Sequence, residues 1–239
     1  MNSRFKSNVV LVAGGTGGLG RAVSLAFLQE GATTVVTYRK EDEFSELQKA
    51  AGNSASSFEG HRVDVTDESA VTQLVTQIVE RHGKLDALVN TVGAYAGGIK
   101  LWELETKTFD QMLALNLRSG YALSRAAVVP MLKQKHGAIV NVAAKAALDH
   151  GAGAAAYSAS KAAAVAMIDS LAADVKGTGI RINSILPSII DTETNRKAMP
   201  GADFSTWPKP EDIARVILFL ASDEAKVVHG AAIPVYGAD

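Results

Sequence analysis

The chain contains no cysteine. That excludes a disulfide framework, a thiolate nucleophile and any Cys-based metal centre. Charge of one sign is missing too: 24 Lys and Arg face 25 Asp and Glu, for a net charge of −1. A nucleic-acid or anionic-membrane surface needs a basic excess that this composition does not provide. Long apolar runs are absent. The first, within 9–14, is about five residues long, against the roughly 7–15 of a signal peptide and the roughly 18 of a membrane span. The expected setting is therefore reducing and cytoplasmic, with no membrane and no nucleic-acid partner. The five histidines, at 61, 82, 136, 150 and 229, show no metal-ligand spacing, so no metal is expected. Aromatic residues make up only 6%, so each one near a motif carries weight.

What remains is an ordinary globular composition, 47% hydrophobic and 21% charged over 239 residues, ample for the core of one large domain. Short β-branched or apolar runs at 9–14, 33–38, 58–65, 85–90, 137–144, 180–186 and 231–237 read as strands. Between them lie helical patterns at 18–30, 45–51, from 67 through Val79, 106–135, 154–176 and 210–220. Asp67 opens the third helix, and Pro210-Glu211-Asp212 opens the last. Alternation of this kind predicts an α/β fold: a single domain over 1–239 with a doubly wound, mostly parallel sheet of about seven strands and helices on both faces. The stretch 188–209 lacks periodicity and reads as a substrate-binding loop or lid.

Ala-Gly-Gly-Thr-Gly-Gly-Leu-Gly (13–20) joins the first strand to the first helix. Gly14, Gly18 and Gly20 permit a tight turn and close backbone approach, and the helix N-terminus beyond offers N–H groups to a phosphate. The second strand runs into Arg39-Lys40, with no acid at its end. An acid there would bind a ribose hydroxyl, whereas cations suit a 2′-phosphate, so NADPH is expected over NADH. Tyr157 and Lys161 stand four apart on one helix face, a proton-donating pair.

Taken together, these motifs resemble the short-chain dehydrogenase/reductase family over essentially the whole chain. Gly14-x-x-x-Gly18-x-Gly20 matches its glycine motif, Asp64-Val65 its adenine-contacting pair, and Asn116 its helix asparagine. Asn90-Thr91-Val92-Gly93 stands where the family has Asn-Asn-Ala-Gly. Pro187 to Thr192 stands where it has Pro-Gly-x-x-x-Thr, with Ser188 for the glycine. The resemblance implies a nicotinamide cofactor held by Gly14, Thr16, Gly18, Leu19, Gly20, Arg39, Lys40, Asp64, Val65, Asn90, Val92, Gly93, Lys161, Pro187, Ile190 and Thr192. It implies Tyr157 as general acid/base, its pKa lowered by Lys161, with Asn116 supporting a water chain. It also implies homodimers or homotetramers built on the long helices before strands five and six.

The family serine that binds the substrate carbonyl falls at Ala144, and Ala143 offers no hydroxyl either. Ala144 to Asp149, Gly93 to Gly98 and the long Asn195-to-Trp207 segment are similar to the dihydropteridine reductases, a branch that also lacks this serine. That likeness implies a quinonoid dihydropterin substrate, in which charge spreads over ring nitrogens. Ala144, Tyr95, His150, Asn195 and Trp207 are its candidate substrate contacts. Two alternatives stand beside it: a carbonyl or 3-oxoacyl reductase that uses another donor, and a cofactor-binding regulator without turnover.

Overall fold

In a computed structural model, residues 3–237 are described; positions 1–2 and 238–239 of the expected 1–239 domain lie outside them. Seven strands form one sheet in the order β3-β2-β1-β4-β5-β6-β7, and every pairing is parallel. The strands are β1 (Val9–Ala13), β2 (Thr33–Tyr38), β3 (Phe58–Arg62), β4 (Ala87–Asn90), β5 (Gly137–Val142), β6 (Ile180–Pro187) and β7 (Ala232–Val235). The helices are α1 (Gly18–Gln29), α2 (Glu41–Ala51), α3 (Glu68–His82), α4 (Thr106–Leu113), α5 (Ser119–Gln134), α6 (Ala155–Asp174), α7 (Glu193–Ala198) and α8 (Pro210–Ala221).

The central strand shows why the pattern folds this way. All five residues of β1 are buried, as a parallel strand covered on both faces requires. Val10 and Val12 enter one core with Val23 and Phe27 of α1 and Ile213 and Ile217 of α8. Val9, Leu11 and Ala13 enter the other with Leu74 of α3, Leu123 of α5 and Ile168 of α6. Period-two alternation along the strand thus sorts its side chains between two helical layers. Asp67 caps α3 by accepting from the Ser69 and Ala70 N–H groups at 2.9 and 3.1 Å, as its position in the sequence predicts.

Four expected elements differ. The second helix begins at Glu41 rather than at 45, and the third strand ends at Arg62 rather than at 65. The continuous helix expected over 106–135 is interrupted at Ala114–Arg118 by one wider π turn. The stretch 188–209 contains α7, capped by the Thr192 hydroxyl accepting from Asn195 N–H, and a short 3-10 turn at Phe204–Thr206. The Asp191 N–H donates to the Pro208 carbonyl at 3.0 Å and ties the base of this segment together. Among the described residues no helix is long and apolar enough to cross a membrane.

Strand order reverses direction at β1, between β2 and β4. In open parallel sheets that switch point, at the carboxyl ends of the strands, is where ligands bind. The glycine loop, Arg39, Gly93, Ala144 and Thr192 all follow the carboxyl ends of their strands.

Candidate active site

The glycine loop leaves β1 at Gly14, whose φ of +75° is left-handed and so favours glycine. The Gly14 N–H donates to the Thr37 hydroxyl at 2.9 Å, and the Gly15 N–H donates to the Thr37 carbonyl. A Cβ on Gly20 would stand 2.0 Å from the Gly14 carbonyl oxygen, and one on Gly18 would stand 2.8 Å from Thr192 Cγ2. Loop, helix start and the β6 exit therefore close on one another at van der Waals distance. The first turn of α1 has no side-chain cap and no acid. Its N–H groups, at Gly18, Leu19 and Gly20, could receive an anion, while the Leu19 side chain is buried in the core.

At the end of β2 the two cations part ways. Lys40 Nζ pairs with Glu43 Oε1 at 2.9 Å, and the other oxygen of Glu43 accepts from the Thr16 hydroxyl at 3.2 Å. Arg39 is exposed and forms no ion pair among the described residues. Asp64 accepts from the Thr66 N–H and hydroxyl. Those bonds hold its carboxyl below the usual range, with a smaller contribution from the Arg39 charge. Val65 is buried against the α3 side of the sheet.

The π turn presents Asn116, which is buried. Its Oδ1 accepts from Ala94 N–H at 2.9 Å, and its Nδ2 donates to the Ala94 carbonyl and to Ser160 Oγ, both at 3.0 Å. π turns within α-helices concentrate at functional positions, and here the turn aims one amide at three groups. Ser160 in turn donates to the Tyr157 carbonyl at 2.7 Å. Ser160 is not among the site residues expected from the sequence, because its helix position differs from that of Tyr157; its place one helical turn away is the signal that favours it.

Lys161 is 5% exposed, and its Nζ donates to the Val142 carbonyl at 3.1 Å. A Cβ on Gly93 would lie 3.0 Å from this nitrogen and 2.9 Å from Asn116 Oδ1, so Gly93 leaves a gap onto which both groups open. Asn90 sets the β4 exit: its Nδ2 donates to Asn141 Oδ1 and its Oδ1 accepts from Val92 N–H. The Thr91 hydroxyl ties that exit to the Ala13 carbonyl at 2.7 Å. Pro187 closes β6 opposite Val235.

Burial pushes the Lys161 amine down to about 8 and the Tyr157 phenol up to about 12, with Tyr95 adding to the latter by charge. This departs from the expectation that Lys161 lowers the tyrosine. Desolvation disfavours both charged forms, and no charge effect between the two residues enters either shift.

On the substrate side, Ala144 is extended, 6% exposed, and presents a methyl group. The Tyr95 ring meets Tyr157 edge-to-face, centroids 4.9 Å apart at 80°. The other three candidates turn back on their own loops. His150 Nε2 lies 3.2 Å from the Ala147 carbonyl. Asn195 Nδ2 donates to the Ile190 carbonyl at 2.8 Å, so that Ile190 is a loop anchor. Trp207 packs on Phe204, centroids 4.9 Å apart. Among the described residues no cluster of His, Asp or Glu could hold a metal ion.

Comparison with known proteins covers almost the whole chain. The family profile described as short chain dehydrogenase matches residues 8–203. A 3-oxoacyl-[acyl-carrier-protein] reductase from Thermotoga maritima is 31% identical over 242 residues, 98% of each chain. A meso-2,3-butanediol dehydrogenase from Serratia marcescens is 32% identical, over 98% of this chain and 95% of that one. The solved structure described as ElxO with NADP bound superposes with a TM-score of 0.91 at 28% identity, covering 96% of this chain and 97% of that one. None of these three carries the name of a dihydropteridine reductase.

Proposed function

The chain belongs to the short-chain dehydrogenase family, and from that premise we propose that it is an NAD(P)H-dependent reductase of ketones, 3-oxoacyl thioesters among them, with Tyr157 as proton donor. The observation that carries this reading is the cluster of Tyr157, Lys161 and Asn116 at the mouth of a glycine-lined cleft. The glycine loop suits a nicotinamide dinucleotide, because its tight turn, where a Cβ on Gly20 would strike the Gly14 carbonyl, sets the uncapped first turn of α1 at the carboxyl end of β1, and Gly93 leaves Lys161 and Asn116 a gap beside it. When bound, that cofactor supplies the hydride that adds to the carbonyl carbon. The first turn of α1 would hold its pyrophosphate, and Asp64, Val65 and Ile190 would line its adenine and nicotinamide ends. Arg39 would take a 2′-phosphate, which favours NADPH over NADH; Lys40, paired with Glu43, would serve more weakly.

As the carbonyl π bond opens, its oxygen takes the Tyr157 proton. A phenol pushed up to about 12 is fully protonated at neutral pH and ready to donate. Lys161 opens onto the gap beside Gly93, where a ribose hydroxyl would meet its amine. Asn116 holds the Ala94 backbone and Ser160, and through Ser160 the backbone of Tyr157. The test is NADPH and NADH oxidation with an acetoacetyl thioester and a vicinal diketone, with Tyr157→Phe as control. Turnover that the control abolishes supports the reading; NADPH binding without ketone turnover sinks it.

A second reading, reduction of a quinonoid dihydropterin, is favoured by Ala144, which offers no hydroxyl, and by the likeness of 195–207 to the dihydropteridine reductases. The same assay with quinonoid dihydropterin tests it. A regulator without turnover is disfavoured by the intact Tyr157, Lys161 and Asn116. Assembly as a homodimer or homotetramer is supported by the exposed apolar side chains Tyr121, Val129 and Leu132 on α5.

A further inference from the structure

A ketone being reduced gathers negative charge on its oxygen, and enzymes meet that charge with more than one donor. Tyr157 is one. At the place of the family's second donor stands the methyl of Ala144. Other polar side chains that follow the carboxyl ends of the strands or neighbour Tyr157 in sequence are committed elsewhere. Ser160 donates to the Tyr157 carbonyl, and Asn116 is spent on Ala94 and Ser160. Ser188 donates to the Tyr236 carbonyl at 2.8 Å. Asn195 is held by Ile190, and His150 turns to Ala147. Ser158 has no partner among the described residues, and its hydroxyl oxygen is itself fully buried.

Tyr95 differs from all of them. It is 69% exposed, and its hydroxyl has no hydrogen-bond partner among the described residues. Its ring stands perpendicular to Tyr157, with centroids 4.9 Å apart. Its backbone is fixed to the same frame, since both polar groups of the preceding residue, Ala94, bond to Asn116. The far end of the loop is pinned by the Ile99 N–H donating to the Gly153 carbonyl at 3.2 Å. Gly97 leaves room for the phenol: a Cβ there would stand 2.0 Å from the Tyr95 hydroxyl oxygen. The charge effect of Tyr95 on Tyr157 agrees with two neighbouring phenols.

We propose that Tyr95 is a second catalytic residue, whose hydroxyl donates a hydrogen bond to the reacting carbonyl oxygen in place of the hydroxyl missing at Ala144. This rests on the ketone-reductase reading. The bond forms as the C=O bond becomes C–O, while Tyr157 alone transfers its proton. Tyr95 therefore stabilises charge without changing protonation state.

The experiment is steady-state kinetics with the acetoacetyl thioester on the wild type, Tyr95→Phe, Gly97→Ala, and Tyr95→Phe combined with Ala144→Ser. Tyr95→Phe keeps the ring and loses only the hydroxyl. Its kcat should fall by about 10²–10³-fold, the usual loss for one removed oxyanion donor. KM and NADPH binding should stay within a few-fold, the mark of an interaction made in the transition state. Gly97→Ala, which displaces the phenol, should lose kcat in parallel. Restoring a hydroxyl with Ala144→Ser in the Tyr95→Phe background should recover about ten-fold or more. A Tyr95→Phe enzyme with wild-type kcat overturns the proposal, as does a change confined to KM, which would make Tyr95 a packing surface. A wild type that turns over no ketone is a separate failure: it overturns the underlying reading and the proposal with it.

Discussion

The most exacting test of the site is Lys161→Met, because here stability and function should move in opposite directions. Lys161 is 5% exposed, and its amine has one partner among the described residues, the Val142 carbonyl. Burial lowers it from 10.5 to about 8, which corresponds to about 3 kcal/mol of differential cost between charged and neutral amine. The folded state releases this proton at a lower pH than the unfolded state does. Between pH 8 and 10.5 the unfolded chain therefore binds more protons, and wild-type stability rises with pH. Below pH 8 the protein carries the whole cost of a buried charge. Methionine has similar length and no charge, so it relieves about 3 kcal/mol and forfeits one hydrogen bond, about 1 kcal/mol. The variant should be about 2 kcal/mol more stable at pH 7, a rise of about 4–8 °C in Tm for a chain of this size. The advantage should vanish across pH 8–10.5 and become a deficit of about 1 kcal/mol above it. Calorimetry or urea unfolding of both proteins from pH 6 to 10.5 reads this directly. A variant destabilised equally at every pH refutes the picture of a charged amine buried at a cost. Turnover should meanwhile collapse, since the amine opens onto the cofactor gap beside Gly93.

Two further outcomes follow from the same geometry. With Tyr157 at about 12, ketone reduction should hold its rate through neutral pH and fall only on the alkaline side, as the donor loses its proton. Oxidation of the product alcohol needs the phenolate and should gain rate as pH rises; stopped-flow profiles in both directions check this, and a reductive rate that grows with pH contradicts it. Arg39→Ala should raise the Kd of NADPH about ten-fold and leave that of NADH unchanged, measured by fluorescence quenching; equal losses for both would remove Arg39 from the 2′-phosphate reading.

The parts of this molecule that were legible in the sequence are those written locally. The β-branched run of β1, the Asp67 cap of α3 and the glycines at 14, 18 and 20 each announce themselves within a few residues, and each stands where expected. The parallel sheet with helices on both faces follows from the alternation of elements. The π turn at 114–118 was not legible, because Ala-Leu-Asn-Leu-Arg contains no glycine or proline to mark it. Its purpose appears only when Asn116 is seen bonding Ala94, 22 residues away. Helix α7 was missed for a different reason. Six residues with none buried carry no apolar stripe, and only the Thr192 cap betrays them.

Electrostatics was the least legible property, because sequence shows which charges exist but not what surrounds them. Arg39 and Lys40 read as an equivalent pair, yet Glu43 takes Lys40 and leaves Arg39 free of any ion pair among the described residues. Tyr157 and Lys161 read as a pair that would lower the phenol's pKa, yet the enclosing layers raise the phenol and lower the amine. The same enclosure makes the donor question sharp. In a cleft that disfavours charge, an unassisted oxyanion would be costly. If the substrate is a simple ketone, the loss of a hydroxyl at Ala144 must be offset by a group already in place. A substrate that spreads its charge over a conjugated ring needs no such group. Assayed side by side, Tyr95→Phe should therefore cost kcat heavily with the ketone and little with a conjugated ring; an undiminished kcat with the ketone removes Tyr95 as its donor.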